Sequence, residues 1–215
     1  MTAPAPKIRQ PSRDKILDSA EQLFARRGFA GIGLAEVAES VGLGKSSLFH
    51  HFPSKAELYG AVVARILARI EERLMRALVA GGSPVERLDR WIDVLVDLLA
   101  EHRTHARLLL RSLFEDDDLT GELPDERAAN QTIQRIAAAG AALLKEGIEA
   151  GAFRPVSVGH TLQTLIGAIV YHFASGEFGD EMIGRPLFSP SEVRRRKDEV
   201  KALLHRGLVA SGSRE

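Results

Sequence analysis

The residues best placed to do chemistry lie in Leu34-Ala35-Glu36-Val37-Ala38-Glu39-Ser40-Val41-Gly42-Leu43-Gly44-Lys45-Ser46-Ser47-Leu48-Phe49. Two short helical pieces joined by a tight glycine-containing turn describe a helix-turn-helix. Gly42 supplies the turn's unusual backbone angle without a steric penalty. Small Ala38 lets the two helices cross closely, and Val37 and Leu48 are expected to pack the pair against a preceding helix. Such a unit lays its second helix in the major groove of DNA, with that helix's N-terminal residues at base edges. Lys45, Ser46, Ser47 and His50 are the side chains so placed. The bare pattern is equally that of a plain helical hairpin, so the surrounding residues must decide.

Other chemistries find less support. Gly44-Lys45-Ser46 looks like the end of a phosphate-cradling P-loop, which needs another glycine five residues earlier and a strand before it. Position 39 is Glu39 and a helix precedes it, so nucleotide binding is rejected. His102 and His105, three apart, could face together as metal ligands, but no third donor accompanies them. His50 and His51 are neighbours on a helix and point apart. No nucleophile–base pair or paired-carboxylate motif is evident. The expectation is therefore no enzyme, no cofactor and no metal.

The elements that must position this segment are helical. Apolar residues recur at helical spacing throughout, with no period-two alternation. A first helix runs from the N-cap Ser12 to Gly28, with Ile16, Leu17, Ala20, Leu23 and Phe24 on one stripe. Pieces at about 34–40 and 45–51 follow. Ser54-Lys55-Ala56-Glu57 reads as a capping box opening a long helix to about Ala80, and Ser83-Pro84-Val85-Glu86 as another. Further helices are expected from Thr104 to Phe114, from Pro124 to Ala150 and over 157–175. After a loop at 176–189, a final helix opens at Ser191. About nine helices result: an all-α chain with an N-terminal three-helix helix-turn-helix domain and a larger C-terminal helical domain. The expected division is a flexible basic arm at 1–11, a DNA-binding domain at 12–54, and an effector-binding and dimerisation domain at 55–215.

Composition sets outer bounds. The 215 residues are 45% hydrophobic and 27% charged, ordinary for a globular protein with a sizeable core. Formal net charge is zero, yet Lys7, Arg9, Arg13, Lys15, Arg26 and Arg27 outweigh Asp14, Asp18 and Glu21 at the N-terminal end, which fits one end meeting phosphate. No cysteine is present, which excludes disulfides and thiolate metal sites. No apolar run approaches the roughly 20 residues that span a bilayer. The basic, proline-rich start is not a secretory signal. A cytoplasmic protein without a membrane partner is expected.

Arg13-x-x-Ile16-Leu17-x-x-Ala20-x-x-Leu23-Phe24, Gly28-Phe29, Val37-Ala38, Gly42 and Leu48-Phe49-His50-His51-Phe52-Pro53-Ser54-Lys55-x-x-Leu58 together resemble the N-terminal module of the TetR family of transcriptional regulators, over about residues 12–60. The resemblance implies that Lys45, Ser46 and His50 approach bases. It implies that Ser47, His51 and Lys55 hold phosphates, with the amides at the start of the long helix. Phe49 joins this DNA-facing set. The sequence departs from the family at Gly33 and Gly44, where a hydroxyl is usual, and at Phe49, where tyrosine is common. Glycine is a passable N-cap, but a phosphate-binding hydroxyl is lost at Gly33 and another at Phe49. Weaker echoes are Gly151-Ala152-Phe153-Arg154-Pro155 and 194–207.

The resemblance also implies a dimer whose two final long helices pair with those of a second copy. Independently, the helix at 157–175 is apolar around much of its girth, with Gly167, Ala168 and Ala174 permitting close approach. The last helix repeats Val193, Val200 and Gly207 at sevens. Leu162, Ile166, Ile169, Val170, Phe173, Val200 and Leu204 are the expected interface residues, with the chain's own internal core as the alternative place for them. Trp91, Phe114, Tyr171 and His172 are candidates to line a pocket for a small apolar or amphipathic effector, although aromatics at helical spacing more often belong to a core. Arg65, Arg69, Arg73 and Arg76 are expected to form a solvated face. The function expected is a repressor binding double-stranded operator DNA as a homodimer, released by its effector. The competing expectation is an all-helical ligand-binding or scaffolding protein whose helix-turn-helix has lost DNA binding.

Overall fold

The computed structural model describes residues 13–114 and 122–210, the side chain of Phe114 excepted. Three short helices come first: α1 (Arg13–Arg27), α2 (Leu34–Ser40) and α3 (Lys45–His51). The expected stripe of α1 is buried at Ile16, Leu17, Ala20 and Phe24. Its expected cap, Ser12, lies outside the described residues.

α4 (Lys55–Val79) is the long connecting rod, about 37 Å at 1.5 Å per residue. Ser54 Oγ caps it by accepting from the Glu57 backbone N–H at 3.1 Å. α5 (Pro84–Glu101) opens with the full reciprocal box: Ser83 Oγ accepts from Glu86 N at 3.3 Å, and Glu86 Oε2 accepts from Ser83 N at 2.8 Å. α6 (His105–Phe114), α7 (Pro124–Glu149) and α8 (Val158–Ala174) follow the expected order.

The stretch expected as a loop at 176–189 contains a further helix, α9 (Glu177–Ile183), so the described residues hold ten helices with α10 (Pro190–Leu208). The glycines that looked like loop punctuation are helix boundaries: Gly176 precedes α9, and Gly184, at φ 72°, ends it in the left-handed conformation. Asp180 then accepts from Leu187 N at 2.7 Å and fixes the exit. The last helix is capped by Ser189 rather than opened at Ser191.

α4 packs along α7 and touches α1, α5 and α6, and with the α1–α6 contact it ties the first three helices to the rest. A single apolar cluster runs from Ile16 to Leu208 without interruption. At the join, Tyr59 of α4 is fully buried between Phe24 and Phe29, its ring 5.0 and 5.3 Å from theirs. The far end is held differently. Asp89, Asp93 and Asp97 on α5 meet His205, Lys201 and Lys197 on antiparallel α10 at 2.8, 2.9 and 2.6 Å. The segment after α7 then clips onto the end of α10, Arg154 N donating to Leu208 O at 2.8 Å and Ala210 N to Ala152 O at 3.0 Å. Phe153 lies directly over Gly147, where a Cβ would sit 2.1 Å from its ring.

The arginines of α4 form the expected solvated face at Arg73 and Arg76, whereas Arg65 is drawn in against α1. Arg65 is bonded to Asp18 at 2.7 Å and Glu21 at 2.9 Å, and Arg69 lies 3.9 Å from Glu21. Arg73 pairs with Glu101 at 2.7 Å, and Arg76 with Glu72. Periodicity placed these side chains on one stripe, but it carried no information on which acids of α1 and α5 the bundle would bring opposite. No helix among the described residues is long and apolar enough to cross a membrane.

Candidate nucleic-acid interface

The turn between α2 and α3 closes through backbone bonds, Gly42 N to Glu39 O at 3.0 Å and Leu43 N to Ala38 O at 2.8 Å. Gly42 takes φ +72°, a conformation that strains any side chain. Val37, Ala38 and Leu48 are buried, which fixes α2 and α3 against α1. Ser40 Oγ adds a 2.5 Å hydrogen bond to Ser19 Oγ of α1, and Arg27 at the end of α1 pairs with Glu36 of α2 at 2.5 Å.

With Leu48 as the anchor, α3 turns Lys45, Ser46, Phe49, His50 and His51 to solvent, while Ser47 is half-buried. Positions 45, 46, 49 and 50 share one face by the 3.6-residue period. The Lys45 ammonium lies 5.7 Å over the Phe49 ring, which is itself 38% exposed. The surface thus offers one cation, hydroxyls, imidazoles and one apolar ring, groups suited to phosphates, base edges and thymine methyls.

Lys55 is placed differently from the expected phosphate ligand. Its Nζ donates to Phe29 O at 3.0 Å and sits 4.1 Å over the Phe29 ring, so at least one of its three donors ties the start of α4 to the end of α1. The expected hydroxyl-free caps behave as glycine must: neither Gly33 nor Gly44 offers a side-chain hydrogen bond to its helix.

The residues expected around an effector differ in their exposure. Trp91 is buried in the core at 1% exposure, and its indole N–H meets no acceptor among the described residues. Tyr171 is 54% exposed, whereas its neighbour His172 is buried on the other side of α8. Burial, and then the charge of Arg196, pull His172 down to about 4, so it is neutral near pH 7. The side chain of Phe114 lies outside the described residues.

Of the residues expected between two copies, Leu162, Ile169, Val170 and Phe173 are buried in the chain's own core. A helix that is apolar round most of its girth must cover its own bundle first. The outward stripe of α8 is His160, Thr164, Gly167 and Tyr171 instead. Beside it a groove of about 220 Å³ between α8 and α10 is lined by Leu165, Ala168, Val200, Leu203, Leu204 and Arg196. Ile166 and Leu204 are half-buried, Val200 is buried, and Leu203 is 66% exposed.

One cluster has no signature in the sequence. Glu21 of α1 is 6% exposed, yet it meets Arg65 of α4 and Thr104 and His105 at the start of α6. His102, expected to face His105, does stack on it with ring centroids 4.4 Å apart. Among the described residues no group of three or more His, Asp or Glu is arranged to hold a metal ion.

Comparison with known proteins places both parts of the chain. Residues 16–62 match the sequence profile described as bacterial regulatory proteins, tetR family. Residues 84–203 match that of the tetracyclin repressor-like C-terminal domain. The transcriptional activator FasR of Mycolicibacterium smegmatis is 31% identical over 112 residues, 52% of this chain and 49% of that protein, so the chain spans about half of that relative's length. The transcriptional repressor KstR2 of the same organism is 28% identical over 144 residues, 66% of this chain and 68% of that one. Among solved structures, KstR2 of Mycobacterium tuberculosis superposes with a TM-score of 0.75 at 19% identity, covering 95% of this chain and all of that one. AibR, solved with isovaleryl coenzyme A and operator DNA, gives 0.73 at 19% identity, covering 88% and 96%.

Proposed function

The chain belongs to the tetR family of bacterial regulatory proteins, and on that premise we propose that it is a cytoplasmic repressor that binds a palindromic operator as a homodimer and is released by a small apolar or amphipathic effector. The observation that carries this reading is the outward face of α3, where Lys45, Ser46, His50 and His51 stand free while Leu48 anchors the helix from behind. Lys45, Ser46, Phe49 and His50 are assigned to the groove, and Ser47, His51 and the free donors of Lys55 to phosphates. Residues 12–54 form the DNA-binding head in this reading, and 55–215 the part that pairs and binds effector.

Pairing is assigned to α8 and α10, whose open groove carries the exposed Leu203 beside the Tyr171 stripe. Two-fold symmetry then sets two α3 helices into successive major grooves, about 34–36 Å apart or a multiple of it. Effector binding need favour one spacing by only about 1–3 kcal/mol to change operator affinity from several-fold to a hundredfold. The relative solved with isovaleryl coenzyme A makes acyl-CoA thioesters the first probes to try. Repression follows the naming of KstR2, although FasR is named an activator.

Fluorescence anisotropy against the DNA upstream of the chain's own gene and against scrambled DNA, at several salt concentrations, tests the reading. Tight, salt-sensitive binding that prefers the upstream fragment, weakened by one of a short-to-long series of acyl-CoA thioesters, is expected. Equal, weak binding to both DNAs and to a genomic operator library would favour the scaffold reading, for which Gly33 and Phe49 speak.

A further inference from the structure

Glu21 is a buried acid shared between three helices, and its two oxygens face different partners. Oε2 accepts from Arg65 Nη2 of α4 at 2.9 Å, with Arg69 Nη1 at 3.9 Å. Oε1 accepts from Thr104 Oγ1 at 2.6 Å, and His105 Nε2 of α6 stands 3.4 Å away. Arg65 also donates to Asp18 Oδ1 at 2.7 Å, so α4 grips α1 at two acids while α6 reaches it at one. His105 is wholly buried, with the His102 ring stacked on its far side.

Burial alone would raise the Glu21 pKa. The His105 imidazole beside Oε1, the Thr104 hydrogen bond and Arg65 outweigh it and hold the group at about 2. The carboxylate is therefore an anion kept by groups outside the first three helices. A buried anion needs its partners, since a lost donor leaves an oxygen with neither protein nor water. Apolar packing lets two helices slide at little cost. A 2.6 Å hydrogen bond does not, because a displacement of about 1 Å takes it past hydrogen-bonding distance. α6 itself packs on α8. In the turn before it Arg103 lies 4.8 Å over the Phe188 ring, and the Arg107 guanidinium of α6 is 2.7 Å from where a Cβ of Gly176, just past α8, would stand. A change at the end of α8 thus has a route through α6 to α1.

We propose that Glu21 is the positioning residue through which α6 sets the orientation of the helix-turn-helix head, and that the Thr104–Glu21 hydrogen bond is made in the operator-binding state and broken on release. This rests on the regulator reading above. The Arg65 side stays closed in both states and acts as the pivot, so only the α6 side switches.

The test uses the full chain with Thr104→Val, Thr104→Ser, Glu21→Gln and the Thr104→Val/Glu21→Gln double variant. Thr104→Val removes the donor at nearly constant volume, and Thr104→Ser keeps it. Hydrogen exchange in α1 is expected to quicken about tenfold in Thr104→Val, with α10 unchanged and Thr104→Ser like the parent. Affinity for the upstream fragment should fall five- to tenfold while scrambled-DNA binding stays constant. In the Glu21→Gln background, Thr104→Val should add less than twofold to either readout. Parent-like α1 exchange in Thr104→Val, or effects that multiply in the double variant, would overturn the proposal. So would a lower melting temperature with an unchanged ratio of specific to scrambled binding, which is the mark of a purely structural contact. If the parent itself shows no preference for any operator DNA, the regulator reading fails, and the exchange measurements still decide whether α6 holds α1 through Glu21.

Discussion

α3 and the α8–α10 face are both turned to solvent, but they are built in opposite ways. α3 buries one residue, Leu48, and exposes lysine, serine and histidine around a single ring. α8 buries Leu162, Leu165, Ile169, Val170, His172 and Phe173, and it leaves outward Gly159, His160, Gln163, Thr164, Gly167 and Tyr171, beside the exposed Leu203 of α10. The difference matches what each surface would meet in the proposed reading, phosphate at α3 and a second copy at α8 and α10. Phosphate is bound by cations that release counterions, so a short helix with one anchor suffices. A second copy must be held by excluded water, which requires apolar area and small residues that let backbones approach.

Leu203→Asp is expected to give the largest effect, because it sets a carboxylate in the apolar face. The dimer dissociation constant should rise at least about a hundredfold, read by sedimentation, with monomer stability within about 0.5 kcal/mol of the parent since the site is exposed. A variant that remains dimeric at low micromolar concentration would move self-contact away from α8 and α10.

The buried back of α8 gives the next effect. His172 has its folded pKa at about 4, below the ordinary 6.5, so the unfolded chain takes up the proton first. Stability should therefore fall as pH drops from 6.5 through 4, by about 2–3 kcal/mol. His172→Gln should flatten that part of a denaturation-versus-pH curve, and an unchanged slope would contradict the burial of the imidazole. Glu21 acts lower, its stabilisation present above 4.5 and lost as pH falls through about 2.

On α3 smaller changes are expected. Lys45→Ala should weaken operator binding about tenfold and lower the salt slope by about one, with folding untouched. A loss that depends on base sequence rather than on salt would make Lys45 a base reader instead. Phe49→Tyr is expected to improve affinity by only about threefold, since it adds one neutral hydroxyl at an exposed ring. No gain would mean the ring faces bases rather than phosphate.

The helix-turn-helix was legible because its signals are local. Gly42 at the turn, the small Ala38 and the apolar Leu48 determine each other's neighbours within a dozen residues. The caps Ser54 and Ser83 were legible for the same reason. α9 was missed because a seven-residue helix framed by glycines is indistinguishable from a punctuated loop. Leu162, Ile169, Val170 and Phe173 turn into the chain's own core, which the sequence left open because a nearly all-apolar helix does not say which side its own bundle will take.

The sequence by itself determined the helical class, the order of the helices and the outward residues of α3, all set by periodicity and capping over a few turns. Only the tertiary structure decided which charges meet. Glu21 and Thr104 are 83 positions apart and Asp89 and His205 are 116 apart. Nothing local distinguishes Arg65, which grips α1, from Arg76, which pairs with its own helix at Glu72. Partners that distant are chosen by how α4, α6 and α10 pack, and at Glu21 burial also removes the water that would otherwise satisfy the charge alone.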